Sequence, residues 1–333
     1  MKVTVLGSGG WGTALALVLL ENGNDVTLWS FDENEAAVLR EKGENPMLKG
    51  VPLPGELAIT TDFTTVPASD IVVMATPSFA VRATARKVAP FLSESAIVVS
   101  VSKGIEKDTN LTLTQVIEEE IGKKCPVAAL SGPSHAEEVG RGVPTGCVAA
   151  CEDLDAARRV QDAFMCRRFR VYTNTDITGV ELGAALKNVL ALCCGISDGM
   201  GLGDNTKALL MTRGMTEMAR LGMALGGRKE TFAGLSGMGD LIVTCTSMHS
   251  RNRRCGILVG QGKTIDEARK EGGATVEGYF AALSAHQLAA KVGVEMPICE
   301  SAYRVLYEGE SVKSVLENLM GRDKRYEEDE TWI

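Results

Sequence analysis

The 333-residue chain has no surplus of positive charge. Its 35 lysines and arginines stand against 43 aspartates and glutamates, a formal net charge of −8. That balance argues against a duplex nucleic-acid binder, which presents a basic face. An anionic metabolite can still be bound where cations are gathered locally. The nine cysteines are odd in number and contain no C-x-x-C pair. Buried free thiols in a reducing cytoplasm are therefore expected, not a disulfide framework or a metal site. His135 has neither a Cys nor another His beside it, so no metal centre is expected there. No unbroken run of about 18 apolar residues is evident, and no membrane span is expected. Met1 leads directly into a strand pattern, so no signal peptide is expected. No repeat or low-complexity segment stands out.

What is present begins at once. Val3 to Leu6 is a short apolar run, followed by Gly7-Ser8-Gly9-Gly10-Trp11-Gly12 and a second apolar run from Ala14 to Leu20. Strand, G-x-G-x-x-G turn and helix start come in the order a dinucleotide requires. Gly7 permits the turn, Gly9 admits a pyrophosphate, and Gly12 lets the helix pack on the strand. Asp25 to Trp29 reads as a second strand. Asp32 lies about where dinucleotide folds place a ribose-binding acid, roughly 20 residues beyond the glycines. Phe31 is read either as core or as an adenine platform. With no Arg nearby to clamp a 2′-phosphate, NAD is at least as well suited as NADP.

The continuously apolar segments Asp70 to Ala75, Ala96 to Val101 and Pro126 to Leu130 read as buried parallel strands. Thr76-Pro77-Ser78 turns into a helix through Phe79 and Val81. Lys103 follows a strand end, where ligands of open parallel sheets bind. Ser134 is expected to cap a short helix, with Glu137 as its box partner. Last strands are expected around 146–151 and 169–173, with a helix at about 154–165. From Asp176 the pattern becomes helical throughout, which sets domains at 1–175 and 176–333. The charged tail from Arg322 to Glu330 reads as a solvated end.

In the helical half, Lys187 sits among apolar and small residues. Gly183 and Ala184, one turn back, are expected to leave room for a ligand beside its ammonium, and burial favours a lower pKa suited to proton transfer. The alternative is a lysine snorkelling at the helix rim. Asp240, in the turn Ser236 to Leu241, is a turn former, a helix cap, or the partner of Lys187 or of a substrate hydroxyl; Thr244 lies one turn on. Ser250 reads as the N-cap of a helix whose first residues are Arg251, Asn252, Arg253 and Arg254. Three arginines oppose the helix dipole there, a cost that makes sense if an anion binds. The glycine-rich stretch before Val276 is expected to approach the cofactor.

Taken together these motifs resemble the soluble, bacterial-type NAD(P)-dependent glycerol-3-phosphate dehydrogenase family over the length of the chain. The markers are GSGGWGTALA at 7–16, VSKG at 101–104, SGPS at 131–134, ELGAALKNV at 181–189, GMGDL at 237–241, SRNRR at 250–254 and VEGY at 276–279. The resemblance implies an α/β fold: an N-terminal Rossmann-like, mostly parallel sheet with a C-terminal all-helical domain. It implies NAD(P)H-dependent reduction of dihydroxyacetone phosphate to sn-glycerol 3-phosphate, feeding phospholipid synthesis, with no metal. By the same resemblance Lys187 is the proton donor and acceptor, and Lys103 contacts substrate and cofactor. Gly132, Ser134, Asp240, Ser250, Arg251 and Asn252 hold the substrate; Asn188 and Thr244 are counted with them, and Asp240 with the catalytic set. Gly10, Trp11, Ala136, Arg251, Val276 and Glu277 hold the nucleotide, with Gly7, Gly9, Gly12, Phe31 and Phe79. The chain departs from the family at Gly10, where bacterial members often carry Ser, and at Phe31, where many carry His or Arg. A homodimer is expected. Two other classes fit parts of the pattern: a sister dehydrogenase of hydroxy acids, which lacks the phosphate site, and a non-catalytic nucleotide sensor, which needs no paired lysines.

Overall fold

The computed structural model describes residues 1–272, 276–324 and 326–327. Two compact units divide the chain. One comprises residues 1–102 and 111–177; the other comprises 103–110 and 178–333. The short segment after residue 102 thus clusters with the helical unit, although the sequence reading runs the first domain unbroken to 175.

The first unit is built on eight strands: β1 (Lys2–Leu6), β2 (Asp25–Trp29), β3 (Ala58–Thr60), β4 (Ile71–Met74), β5 (Ile97–Ser100), β6 (Val127–Ser131), β7 (Thr145–Ala150) and β8 (Phe169–Asn174). They lie in the order β3-β2-β1-β4-β5-β6-β7-β8. Every neighbouring pair is parallel except β6 with β7. The sheet is open and doubly wound, and its order reverses between β1 and β4, the crevice where such sheets bind ligands. β4, β5 and β6 are buried along their whole length. Helices α1 (Gly10–Glu21), α2 (Glu33–Lys42), α3 (Val81–Val88), α4 (Leu113–Ile121), α5 (Ala136–Gly140) and α6 (Leu154–Phe164) complete the unit. Two apolar clusters, one including α1 and α6 and one including α3 and α4, fill it. Continuous apolar strands are the consequence of that double cover.

The second unit is all helical: α7 (Ile177–Gly199), α8 (Gly203–Ala224), α9 (Lys229–Phe232), α10 (Asp240–Thr246), α11 (Arg251–Gly260), α12 (Ile265–Gly272), α13 (Glu277–Val292), α14 (Pro297–Tyr307) and α15 (Val312–Met320). By length and composition α7 is apolar enough to cross a membrane, with a mean hydropathy of 1.5 in its apolar stretch, yet 94% of that stretch is buried inside the fold. It is not an unbroken apolar run. Glu181 and Lys187 interrupt the run, and α7 is the central helix of the second core.

Candidate active site

In the sheet unit the glycine turn does what its spacing requires. Gly7 has a φ of +125°, and a Cβ on Gly12 would lie 2.0 Å from the Gly7 carbonyl oxygen. Neither position admits a side chain without displacing backbone. A Cβ on Gly9, by contrast, would meet nothing within 4 Å. Gly9 is the N-cap of α1 and supplies no side-chain cap, so the first amides of α1 keep their capacity for an anion. These residues fit a dinucleotide pyrophosphate. A Cβ on Gly10 would stand 3.1 Å from the Met47 carbonyl oxygen, so the segment around Met47 leaves little room for the serine that the family resemblance leads one to expect there. The Trp11 indole donates to the Val101 carbonyl at 3.2 Å, which ties the turn to the end of β5.

Phe31 and Phe79 are 77% and 74% exposed. The core reading of Phe31 is thereby corrected: its ring meets the edge of Trp29 and has Lys87 Nζ 5.5 Å from its centre. Asp32 is the N-cap of α2 and accepts from the amides of Asn34 and Glu35. The expected cap at Ser134 is also corrected. His135 is the N-cap residue of α5 and makes no side-chain cap bond, while the Ser134 hydroxyl donates to the Gly132 carbonyl at 2.9 Å. Gly132 itself is forced by packing, since a Cβ would fall 2.7 Å from the Gly146 carbonyl oxygen. Ala136 opens α5.

The helical unit holds the charged centre. Lys103 Nζ donates to Asp240 Oδ2 at 2.7 Å, and Lys187 Nζ donates to Asp240 Oδ1 at 2.7 Å. Lys187 also donates to Thr244 Oγ1 at 2.6 Å. A lysine ammonium has three N–H groups; the third of Lys187 has no partner among the described residues. Lys187 is 5% exposed and Asp240 1%, so the snorkelling alternative is set aside. Burial pushes the Lys187 ammonium down to about 8, the Asp240 carboxylate resists this, and the charge of Lys103 adds to it. Burial alone would raise the Asp240 carboxyl, but the ammoniums of Lys103 and Lys187 outweigh it and hold it below its ordinary range. Asp240 is delivered by a π-helical turn, Leu235–Gly239, that runs into α10. Gly183 does not leave room for a ligand, as its spacing suggested. A Cβ there would lie 3.0 Å from the Ser236 carbonyl oxygen, so the glycine admits the polypeptide that carries Asp240.

At α11 the Ser250 hydroxyl accepts from the Arg253 amide, as a helix cap should. The three arginines are not equivalent. Arg253 pairs with Asp198 at 2.7 Å and donates to the Thr246 carbonyl. Arg254 donates to the Met248 carbonyl at 2.7 Å. Arg251 is exposed, and its guanidinium has no partner among the described residues. Asn252 is buried: its Nδ2 donates to Asn188 Oδ1 at 2.9 Å, and its Oδ1 accepts from the Gly278 amide at 2.8 Å. Asn252 therefore fastens α11 to the neighbour of Lys187 and to the start of α13. Val276 is the N-cap of α13 and Glu277 its first residue. The stretch 273–275 before them, with its expected cofactor approach, lies outside the described residues.

One positioning feature is missing from the sequence reading. Gly195 and Gly199 on α7 face Gly256 and Gly260 on α11, and Cβ atoms at the four positions would lie between 2.1 and 2.3 Å from carbonyl oxygens of the opposite helix. The signal was present as two G-x-x-x-G spacings, one on each helix. An apolar cavity in this unit is lined by residues such as Ile196, Leu210, Ile298 and Leu316, but no member of the Lys103, Lys187 and Asp240 set lines it. All nine cysteines are free. Among the described residues no group of three or more His, Cys, Asp and Glu side chains could hold a metal ion.

Fold and turn together define a dinucleotide-binding protein of the doubly wound class. Two family models, described as NAD-dependent glycerol-3-phosphate dehydrogenase N-terminus and C-terminus, match residues 2–157 and 176–317. The chain belongs to that family. It is 50% identical over 330 residues to a glycerol-3-phosphate dehydrogenase (NAD(P)+) of Fusobacterium nucleatum, covering 98% of each chain. It is 53% identical over 328 residues to the one of Moorella thermoacetica, covering 98% of this chain and 97% of the relative. The crystal structure of glycerol-3-phosphate dehydrogenase from Coxiella burnetii superposes with a TM-score of 0.91 at 37% identity, covering 96% of this chain and 99% of that one.

Proposed function

We propose that this protein is a cytoplasmic glycerol-3-phosphate dehydrogenase that reduces dihydroxyacetone phosphate reversibly to sn-glycerol 3-phosphate with NADH or NADPH, supplying glycerophospholipid synthesis. The observation that carries the reading is the pair of ammoniums, Lys103 and Lys187, held on the single carboxylate of Asp240. A ketone that accepts hydride develops negative charge on oxygen, and preorganised cations stabilise that charge. When bound, the nicotinamide supplies the hydride that converts C2 from C=O to CH–O.

Lys187 supplies the proton to that oxygen. Asp240 and Thr244 occupy two of its N–H groups and aim the third. Its proton affinity, lowered to about 8 by burial, lets it give up a proton near neutral pH and regain one from solvent. Lys103 adds positive charge beside it. Arg251, with the capped start of α11, grips the phosphate, and binding energy far from C2 orients the carbonyl. Ser250, Asn188 and Asn252 hold that grip in place. The glycine turn with Trp11 holds the pyrophosphate through backbone amides, and Phe31 and Phe79 offer exposed rings to the adenine.

The test is loss of NADH or NADPH absorbance on adding dihydroxyacetone phosphate, run beside unphosphorylated dihydroxyacetone. Turnover of the phosphate ester alone is expected. Equal use of both ketones ends the phosphate-site assignment, and no turnover of either ends the enzyme reading in favour of a sensor. The working form in this reading is a homodimer, because helical second domains often pair with a copy of themselves. Sedimentation showing only monomer at assay concentration ends that part.

A further inference from the structure

Glu35 stands where the fold leads one to look for Asp32. Its Oε2 lies 3.3 Å from the Ser8 hydroxyl in the glycine turn and 3.4 Å from the Ser30 hydroxyl at the end of β2. Both are the long arms of shared donors. Ser8 gives its proton to Ser30 Oγ at 2.8 Å, and Ser30 gives its own to the Asp32 carbonyl at 3.1 Å. Glu35 Oε1 has no partner among the described residues. An ionised carboxylate offers about four acceptor sites, so this one is nearly unfilled. The neighbouring acids are committed elsewhere. Asp32 caps α2, and Glu33 takes Arg40 and the Thr61 hydroxyl. Residues 30–35 hold three acids and no base.

We infer that Glu35 selects the cofactor: its carboxylate accepts from the ribose diol of an unphosphorylated adenosine and repels a 2′-phosphate, so the protein prefers NADH to NADPH. The inference rests on the dinucleotide reading of the glycine turn. A carboxylate at the end of β2 reads the ribose hydroxyls in this fold class, and the structure moves that role three residues along because Asp32 is spent on the helix. Repulsion between like charges is the excluding element. The rival reading is a cation: Lys87 Nζ stands 5.5 Å from the centre of the exposed Phe31 ring, and it would attract a 2′-phosphate if the selection ran the other way.

The test is calorimetric titration of the full chain with ADP-ribose and with 2′-phospho-ADP-ribose, which needs no turnover. ADP-ribose is expected to bind at least roughly tenfold more tightly, the scale of one unscreened like-charge contact near a surface. Glu35→Gln is expected to bring the ratio close to one, whereas Lys87→Ala leaves it unchanged. Independently of any variant, the wild-type ratio is expected to shrink as salt screens the repulsion. Equal affinity of the wild type for the two ligands, an unchanged ratio in Glu35→Gln, or a ratio that grows when Lys87 is removed would each overturn the selector. Failure of both ligands to bind at all overturns the dinucleotide reading as well.

Discussion

Helix α1 begins at Gly9, which offers no side-chain cap and no charged residue in its first turn. Helix α11 begins at Ser250, whose hydroxyl already serves the Arg253 amide, and its first turn is basic. The two starts show how the units differ. In the proposed function, recognition in the sheet unit falls to backbone amides exposed by glycine. In the helical unit it falls to charged side chains, most of them tied down, with Arg251 and the third N–H of Lys187 left without partners among the described residues. Backbone recognition is insensitive to pH and tolerates few substitutions, while side-chain recognition titrates and can be removed one group at a time.

That contrast can be broken most severely at Gly12. Gly12→Val places a side chain into the Gly7 carbonyl, and nucleotide binding and turnover are expected to disappear together, measured by fluorescence titration on material whose melting curve shows a folded state. Normal binding by this variant would falsify the backbone-recognition assignment. Lys187→Met is expected to separate the units: turnover falls roughly 10²- to 10⁴-fold while nucleotide affinity stays at the wild-type value. A fully active Lys187→Met enzyme removes Lys187 from the chemistry.

The next effect is on pH. The reduction needs a protonated Lys187, so kcat is expected to decline as pH rises through about 8. The Asp240 carboxylate raises the proton affinity of Lys187, so Asp240→Asn is expected to move that limb to lower pH. A limb that stays put, or moves upward, assigns it to another group. Arg251→Ala is expected to raise the KM for dihydroxyacetone phosphate roughly 10- to 100-fold, the worth of one charge-assisted bond, and to flatten its salt dependence. An unaltered KM moves the phosphate grip elsewhere.

The smallest effects sharpen the comparison at the caps themselves. Ser250→Ala is expected to cost about 1 kcal/mol of stability. Gly9→Ser is expected to gain only a few tenths while weakening nucleotide binding, because a side-chain cap competes with the anion for the same amides. Urea melts of both variants, with a nucleotide titration of the second, check the pair. Tighter nucleotide binding by Gly9→Ser would contradict an open helix start.

Much of this was legible because the signals are local. The G-x-G-x-x-G turn lies between two apolar runs, and β4, β5 and β6 are buried at every position and apolar at all but Ser100 and Ser131, because helices cover both faces of the sheet. Lys187 stood out as a lone cation in an apolar helix. What was missed is non-local or weakly patterned. β3 is a three-residue edge strand with no fully buried position, so it carries no apolar signature. The committed state of Arg253 and Arg254 depends on Asp198 and on loop carbonyls far from them in sequence or invisible in it. Asp32 matched the spacing for a ribose acid, but the same residue type also caps helices, and the structure uses it so. Gly183 read as space for a ligand because a glycine does not announce which neighbour fills the gap.

The four-glycine crossing of α7 and α11 carries a consequence for what can be recognised. With no side chains between them the helices cannot slide or spread without breaking backbone contact, and the Asn188 to Asn252 bond pins their register. The backbone positions that carry Lys187 and Arg251 are thus held at one spacing, like the two arms of a gauge. If Lys187 and Arg251 grip the two ends of one substrate, as proposed, molecular length becomes a criterion of selection in its own right.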